Sequence, residues 1–208
     1  MQTILIVNGA LGGSTGNTSE LLALAEERLS AHAAVSHLEL CRDPSLERVL
    51  GACTEADGFL FGSGTYWESW GSPLQRFLEM TAHTEGREVW RGKPAGAIVT
   101  SHAIGASGVL SRLLGVLNAY GLMIPPFCGM TYSWAADVAL PHAPKHLRNE
   151  LGTPDDVGVV CHNVLEAVSC GNDWKSWPTS EGLSAEKWLF AYSRRHESCG
   201  IADAQKAT

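Results

Sequence analysis

The chain has 208 residues, enough for one well-buried domain and short for two, because domains most often run to about 100–150 residues and single folds to about 250. Hydrophobic residues make up 45% and charged residues 18%, an ordinary globular balance that excludes collagen-like and wholly disordered chains. The formal charge is −7, with 22 acids against 15 bases; no Lys/Arg cluster exceeds Arg194-Arg195, so the basic footprint of a nucleic-acid binder is missing.

No apolar run approaches the roughly 20 residues of a spanning helix, so no membrane partner is expected. The stretch Met1 to Val7 has no basic segment and leads into glycines, so no signal peptide is read there and the expected compartment is cytoplasmic. The cysteines at 41, 53, 128, 161, 170 and 199 show no C-x-x-C spacing, which argues against structural zinc and a cysteine-held iron–sulfur cluster and for free, mostly buried thiols. His142 and His146 are four apart, but Pro144 between them breaks the helix that would align them, and no metal site is expected.

Short apolar runs alternate with amphipathic segments from the first residue. Thr3 to Asn8 reads as a strand buried on both faces of a parallel sheet. Leu21, Leu22, Ala25 and Leu29 recur at helical spacing, and Asn17 with Glu20 has the form of a capping box, so the first helix is expected to start near Thr18. Val35 to Leu40 is a second strand, Ser45 to Cys53 a short helix after Pro44, and Phe59 to Gly62 a third strand. Ser72-Pro73-Leu74-Gln75 reads as N-cap, proline at the first helical position and a capping glutamine for a third helix. Ala95 to Thr100 is a fourth strand. A fourth helix carries the stripe Leu110, Leu113, Leu114, Leu117 and Gly121, and Leu122 to Pro125 is expected to be the fifth strand.

Phe127 to Gly152 reads as a long irregular connection of the kind that is usually functional. Thr153-Pro154-Asp155-Asp156 opens a fifth helix whose buried face is Val157, Val160, Cys161, Val164, Leu165 and Val168. Residues 1–170 are thus expected to form one α/β domain, and 171–208 a partly disordered C-terminal extension holding Trp174, Trp177 and Trp188, with a short helix near 184–195. Such a parallel sheet binds its ligand beyond the carboxyl ends of the strands, where chain order reverses, so the loops after strands one, three and four are the ones to read.

The first, Gly9 to Ser19, joins a buried strand to a helix N-terminus, where open amides and the helix dipole suit a phosphate. It is not a Walker A loop, because Asn17 stands where the lysine belongs, and not a dinucleotide fingerprint, because Leu11 takes the place of its first glycine. A capped loop with no ligand is the plain alternative. The second, Ser63 to Pro73, brings Tyr66, Trp67 and Trp70 to the end of strand three, where aromatics either cover a flat heterocycle or pack under the loop or in a subunit interface. The third, Thr100 to Gly108, combines small residues with Ser101 and His102; a lone loop histidine is weak evidence by itself.

The Ser-Thr-Gly-Asn-Thr spelling at 14–18 resembles the FMN phosphate loop of flavodoxins, and the longer insertion from Gly9 looks like that of the NAD(P)H-dependent FMN reductase family. Ala56 to Ser63, with Thr65-Tyr66-Trp67 and Ser72 to Glu79, is similar to the family's isoalloxazine-side motif, and Gly92-Lys93-Pro94 fits too. The resemblance covers roughly residues 3–126. It implies a flavodoxin-like, three-layer doubly wound fold with five parallel strands in order 2-1-3-4-5. It also implies phosphate binding by Ser14, Thr15, Gly16, Asn17 and Thr18, with Thr65, Tyr66, Trp67 and Ser69 beside the ring and Ser101, His102 and Gly105 on its other side. Ala10 and Gly12 depart from a frequent Ser and Arg, and Gly64 from a frequent Pro, which leaves the phosphate to amides, Asn17 and hydroxyls.

The function this implies is an FMN-dependent oxidoreductase that takes a hydride from NADH or NADPH and passes electrons to a small-molecule acceptor such as a quinone, azo compound or flavin. Hydride transfer to a flavin obliges no general acid or base, so no catalytic residue is nominated. One rival is a flavodoxin-like electron carrier docking on redox proteins, to which the acidic charge would suit; another is a sheet domain that has lost FMN. Aromatic content at Trp70, Trp134, Trp174 and Trp177 leads to the expectation of a homodimer or homotetramer.

Overall fold

The structure, a computed structural model, describes residues 1–142, 152–171 and 173–176, all within a compact unit Met1–Ser176. Trp177, Trp188, Cys199 and the helix expected near 184–195 lie outside the described residues. Five strands, β1 (Thr3–Asn8), β2 (Ala34–Glu39), β3 (Gly58–Gly64), β4 (Ala95–Ser101) and β5 (Gly129–Ser133), form one sheet in the order β2-β1-β3-β4-β5. Every neighbouring pair is parallel. The helices are α1 (Asn17–Ser30), α2 (Leu46–Glu55), α3 (Ser72–Thr81), α4 (Ala106–Ala119), a short α5 (Trp134–Ala139) and α6 (Val157–Val168). This is the flavodoxin-like doubly wound arrangement, and its chain order reverses between β1 and β3.

Side chains alternate across a strand, and the two cores follow. Leu5, Val7, Phe59, Phe61 and Val99 turn to one face and pack with Val49 of α2, Leu74 and Phe77 of α3 and Leu113 of α4. Ile4, Ile6, Leu60 and Ile98 turn to the other and meet Leu22 and Leu29 of α1 and Val160 and Val164 of α6. Both faces are therefore covered, giving three layers. On the first face the fully buried Trp90 packs against Phe59 and Tyr120, and its indole N–H donates to Thr84 Oγ1 at 2.8 Å, so the largest core side chain carries no unpaired polar atom.

Five local expectations are corrected. The fifth strand is β5 at 129–133, not 122–125: Pro125 and Pro126 cannot continue a ladder, and Met123 meets Pro94 in an isolated bridge outside the strands. The region from Phe127 is correspondingly ordered into β5 and α5 where an irregular connection was expected. Asn17 does not cap α1, because the N-cap is Gly16 with no side-chain cap bond. Likewise α3 is capped by Gly71, not Ser72, although proline does stand in its first turn. A Cβ on Gly71 would lie 2.6 Å from the Gly9 carbonyl oxygen, so the absence of a side chain is what lets the first and second loops meet. In α4, Leu113 and Leu117 are buried as expected, but Ala106 and Val109 complete the stripe and Leu110 and Leu114 are half-buried.

Candidate functional site

A cavity of about 340 Å³ opens at the carboxyl ends of β1, β3 and β4, lined by Ala10, Gly12, Gly16, Asn17, Thr18, Gly64, Thr65, Tyr66, Thr100, Ser101 and His102. All three loops singled out in the sequence contribute to it. Its size is within the range of about 300–1,000 Å³ usual for small-molecule sites.

The first loop is shaped from below. Asn8, the buried last residue of β1, donates from its amide to the Gly13 carbonyl at 3.0 Å and to the Glu39 carboxylate at 3.1 Å, and accepts the Ala10 N–H at 3.1 Å. Ser19 Oγ also bonds the Gly13 carbonyl. These contacts fix a single 3₁₀ turn, Gly13–Thr15, and deliver the chain to α1 through extended Gly16. First-turn amides of a helix have no intrahelical acceptor, and a glycine N-cap supplies no side chain to satisfy them, so the α1 N-terminus faces the cavity with open donors and a positive dipole end. Thr18 is tied across to β4 by a buried hydroxyl pair with Thr100, 2.7 Å.

Thr65 and Ser101 continue β3 and β4 into the cavity, and Thr65 N–H donates to the Thr100 carbonyl at 2.7 Å. Their hydroxyls, Thr65 Oγ1 and Ser101 Oγ, are buried without a hydrogen-bond partner. Buried polar atoms are nearly always paired, and both of these orphans belong to residues that line the one cavity. The Tyr66 ring folds back along Gly64, and its hydroxyl accepts the Leu11 N–H at 3.3 Å. On the far side the His102 ring stacks on Trp134 at 5.2 Å between centroids, while Ala135 N–H donates to the His102 carbonyl and Ser133 Oγ to the Ala103 carbonyl, both at 2.8 Å. The start of α5 thus braces the third loop.

Of the residues expected at the site, Gly16, Asn17, Thr18, Thr65, Tyr66, Ser101 and His102 line the cavity. Ser14 and Thr15 sit on the 3₁₀ turn, exposed, with Thr15 Oγ1 donating to the Gly12 carbonyl at 3.0 Å. Trp67 is 100% exposed, Ser69 pairs with Tyr66 through the backbone, and Gly105 is the left-handed N-cap of α4 at φ 94°. None of these five lines the cavity. Asn8 and Glu39 were not anticipated; the one signal for Asn8 is a polar amide ending an apolar strand next to glycines. Trp70, expected to contribute exposed aromatic surface, is half-buried against the core and bonded through its indole to Gln75 at 2.8 Å.

Fold and cleft together define a flavodoxin-like α/β protein with a cavity at the topological switch point. Residues 3–134, well over half of the chain, match the NADPH-dependent FMN reductase family; the chain belongs to that family and thereby to the FMN-dependent oxidoreductases. Among solved structures, RosB with bound 8-demethyl-8-formylriboflavin-5'-phosphate superposes with a TM-score of 0.65 at 14% identity, covering 99% of this chain and 88% of that one. The apo form of an NADH:FMN oxidoreductase, EMOB, gives 0.63 at 14% identity over 82% and 92% of the two chains. A flavodoxin from the Archaea gives 0.56 at 14% over 81% and 100%. At such identities these likenesses show the shared fold. No curated protein sequence matches the chain. Among the described residues no helix is long and apolar enough to cross a membrane.

Proposed function

We propose that this protein binds FMN in the cleft and acts as an NAD(P)H-dependent oxidoreductase toward a small acceptor. The observation that carries the reading is the pairing, within one cavity, of an uncapped helix N-terminus with two orphaned hydroxyls: the first suits a phosphate monoester and the second the hydrogen-bonding edge of a flat heterocycle. The open amides of α1, with the Asn17 side chain and the Ser14 and Thr15 hydroxyls above them, hold the phosphate without a lysine. Thr65 and Ser101 bond the ring edge, with Tyr66 on one side and His102 on the other, while Trp67, Ser69 and Gly105 shape the loops that carry them.

FMN, when bound, supplies the redox chemistry, and the balance is NAD(P)H + H⁺ + acceptor → NAD(P)⁺ + reduced acceptor, with two electrons passed in each half. The chain's own residues bind and orient. Ser101, Ala103, Gly105 and Ala106 are small, so the third loop leaves room for a nicotinamide to reach the ring at a near-attack separation of about 3–3.5 Å. Quinones, azo compounds and free flavins all fit such an open face. The same reading places the protein in the cytoplasm, and makes it a homodimer or homotetramer because Ile104 at 81% exposure and Trp134 at 45% leave apolar surface near the third loop.

The test is twofold. Mass spectrometry of heat-released cofactor is expected to yield FMN, and FAD as the main species would sink the assignment. Steady-state NADH or NADPH oxidation is expected to depend on added quinone or flavin, and sedimentation to show more than a single-chain species at micromolar concentration.

A further inference from the structure

The turn that closes the second loop is strained in a way its sequence does not favour. Tyr66 N–H donates to the Ser69 carbonyl at 2.7 Å and Ser69 N–H to the Tyr66 carbonyl at 3.0 Å, so Trp67 and Glu68 are the two central residues of a tight hairpin. Both lie in the left-handed region, at φ 49° and 61°. That geometry is favoured by Asn-Gly and disfavoured by a bulky aromatic and a glutamate. It also holds Trp67 wholly in solvent, where an indole gains nothing from burial. Something outside the turn must hold it.

Two grips from α4 do so. Arg112, on the second turn of α4, donates through Nη2 to the Glu68 carbonyl, and its guanidinium lies over the Trp70 ring, 5.9 Å from the centroid. The Glu68 carboxylate reaches across to the α4 N-terminus: a Cβ on Gly105 would stand 2.8 Å from Glu68 Oε1. Gly105 supplies no side-chain cap, so a carboxylate there complements the positive end of the α4 dipole. Glu68 thus has its backbone oxygen bonded by Arg112 and its carboxylate beside the N-terminus of the same helix, whose preceding loop forms the opposite wall of the cleft.

We propose that Arg112 and Glu68 form a latch by which α4 holds the 66–69 turn in its strained, open form, and that Arg112 is thereby a positioning residue for the cleft. With the latch closed, Tyr66 stays against Gly64 and Leu11 as a cleft wall and Trp67 is kept off the mouth. With it open, the turn relaxes, and FMN binding must restore the strained form. The consequence for FMN rests on the cofactor reading above; the latch itself does not.

Hydrogen exchange of the apoprotein reads the latch without any cofactor. Arg112→Ala is expected to speed exchange in the peptide spanning 63–72, with β1 and α6 unchanged, and to raise the FMN Kd about thirtyfold, the lower end of the scale set by left-handed strain at two ordinary residues. Arg112→Lys, which keeps a donor, is expected to fall between. The deciding variant adds Trp67→Asn and Glu68→Gly to Arg112→Ala: the turn then prefers the left-handed geometry by itself, and slow exchange returns. Wild-type exchange in Arg112→Ala, or failure of the Asn-Gly turn to rescue it, overturns the proposal. Loosened exchange with unchanged FMN affinity overturns the link to the cleft. A wild-type protein that binds no FMN sinks the function proposed above and leaves exchange to decide the latch.

Discussion

Ser101→Ala tests the orphaned hydroxyls, and it has opposite expected effects on the empty and the occupied protein. Ser101 is 7% exposed, and its Oγ has no hydrogen-bond partner. Leaving such a group buried and unpaired costs about 1–3 kcal/mol, whereas a made hydrogen bond contributes about 0.5–1.5 kcal/mol. Removing Oγ alone leaves the backbone pairing of β4 with β5 intact, so the apoprotein is expected to gain roughly 1 kcal/mol, a rise of about 2–4 °C in Tm for a chain of this size. FMN then loses a partner, and its Kd is expected to rise by roughly threefold to tenfold. Thermal unfolding of the apoprotein and titration of free FMN by fluorescence quenching read the two effects separately. An apoprotein destabilised by the substitution, or an unchanged Kd, would refute the reasoning, because the hydroxyl would then be satisfied within the protein or lie away from the ligand.

Asn17→Ala is expected to weaken FMN binding by about 1.5–3 kcal/mol, the value of a charge-assisted hydrogen bond, while leaving apoprotein stability nearly unchanged because the side chain is exposed; calorimetric titration checks it. Gly105→Val meets both a left-handed φ of 94° and the Glu68 carboxylate, so it should lower the urea midpoint by an amount equivalent to about 1–2 kcal/mol and slow flavin reduction more than it weakens FMN binding. Burial pushes the thiols of Cys53, Cys128 and Cys161 from 9.0 up to about 12. A disulfide reagent at pH 8 should therefore label exposed Cys41 at once and these three only on unfolding. With folded values raised, their contribution to stability is full below about pH 9 and is lost as pH climbs toward about 12, which an alkaline unfolding series will show.

Period and punctuation made the sheet legible. Ile4 and Ile6 against Leu5 and Val7 need both faces covered, and a doubly wound arrangement of the following helices does that. The edge strand β5 escaped because Gly129-Met130-Thr131-Tyr132-Ser133 is half-polar and largely half-buried, while the more apolar Leu122-Met123-Ile124 ahead of it packs near the sheet without joining the ladder. The caps are ambiguous in sequence because a Ser or Asn beside a glycine spells a cap equally well one residue along, and the close contact of Gly71 with Gly9 that decides the α3 cap is tertiary. At the site, residue types and loops were readable, but the orphaning of Thr65 and Ser101 depends on how β3 and β4 end together. The Asn8–Glu39 contact joins neighbouring strands, and nothing in Trp67-Glu68 spells a left-handed turn: α4 imposes it from residues some forty positions on.

The central claim is that a nicotinamide delivers its hydride into this cleft, and rapid anaerobic mixing of the FMN-loaded protein with NADH and, separately, NADPH tests it most directly. At least one of them is expected to bleach the visible flavin absorbance at a rate no slower than steady-state turnover, with Gly105→Val slowing the step. Flavin that stays oxidised for minutes with both nicotinamides, yet is bleached by dithionite, would contradict the account and make the protein a carrier of electrons from other redox proteins.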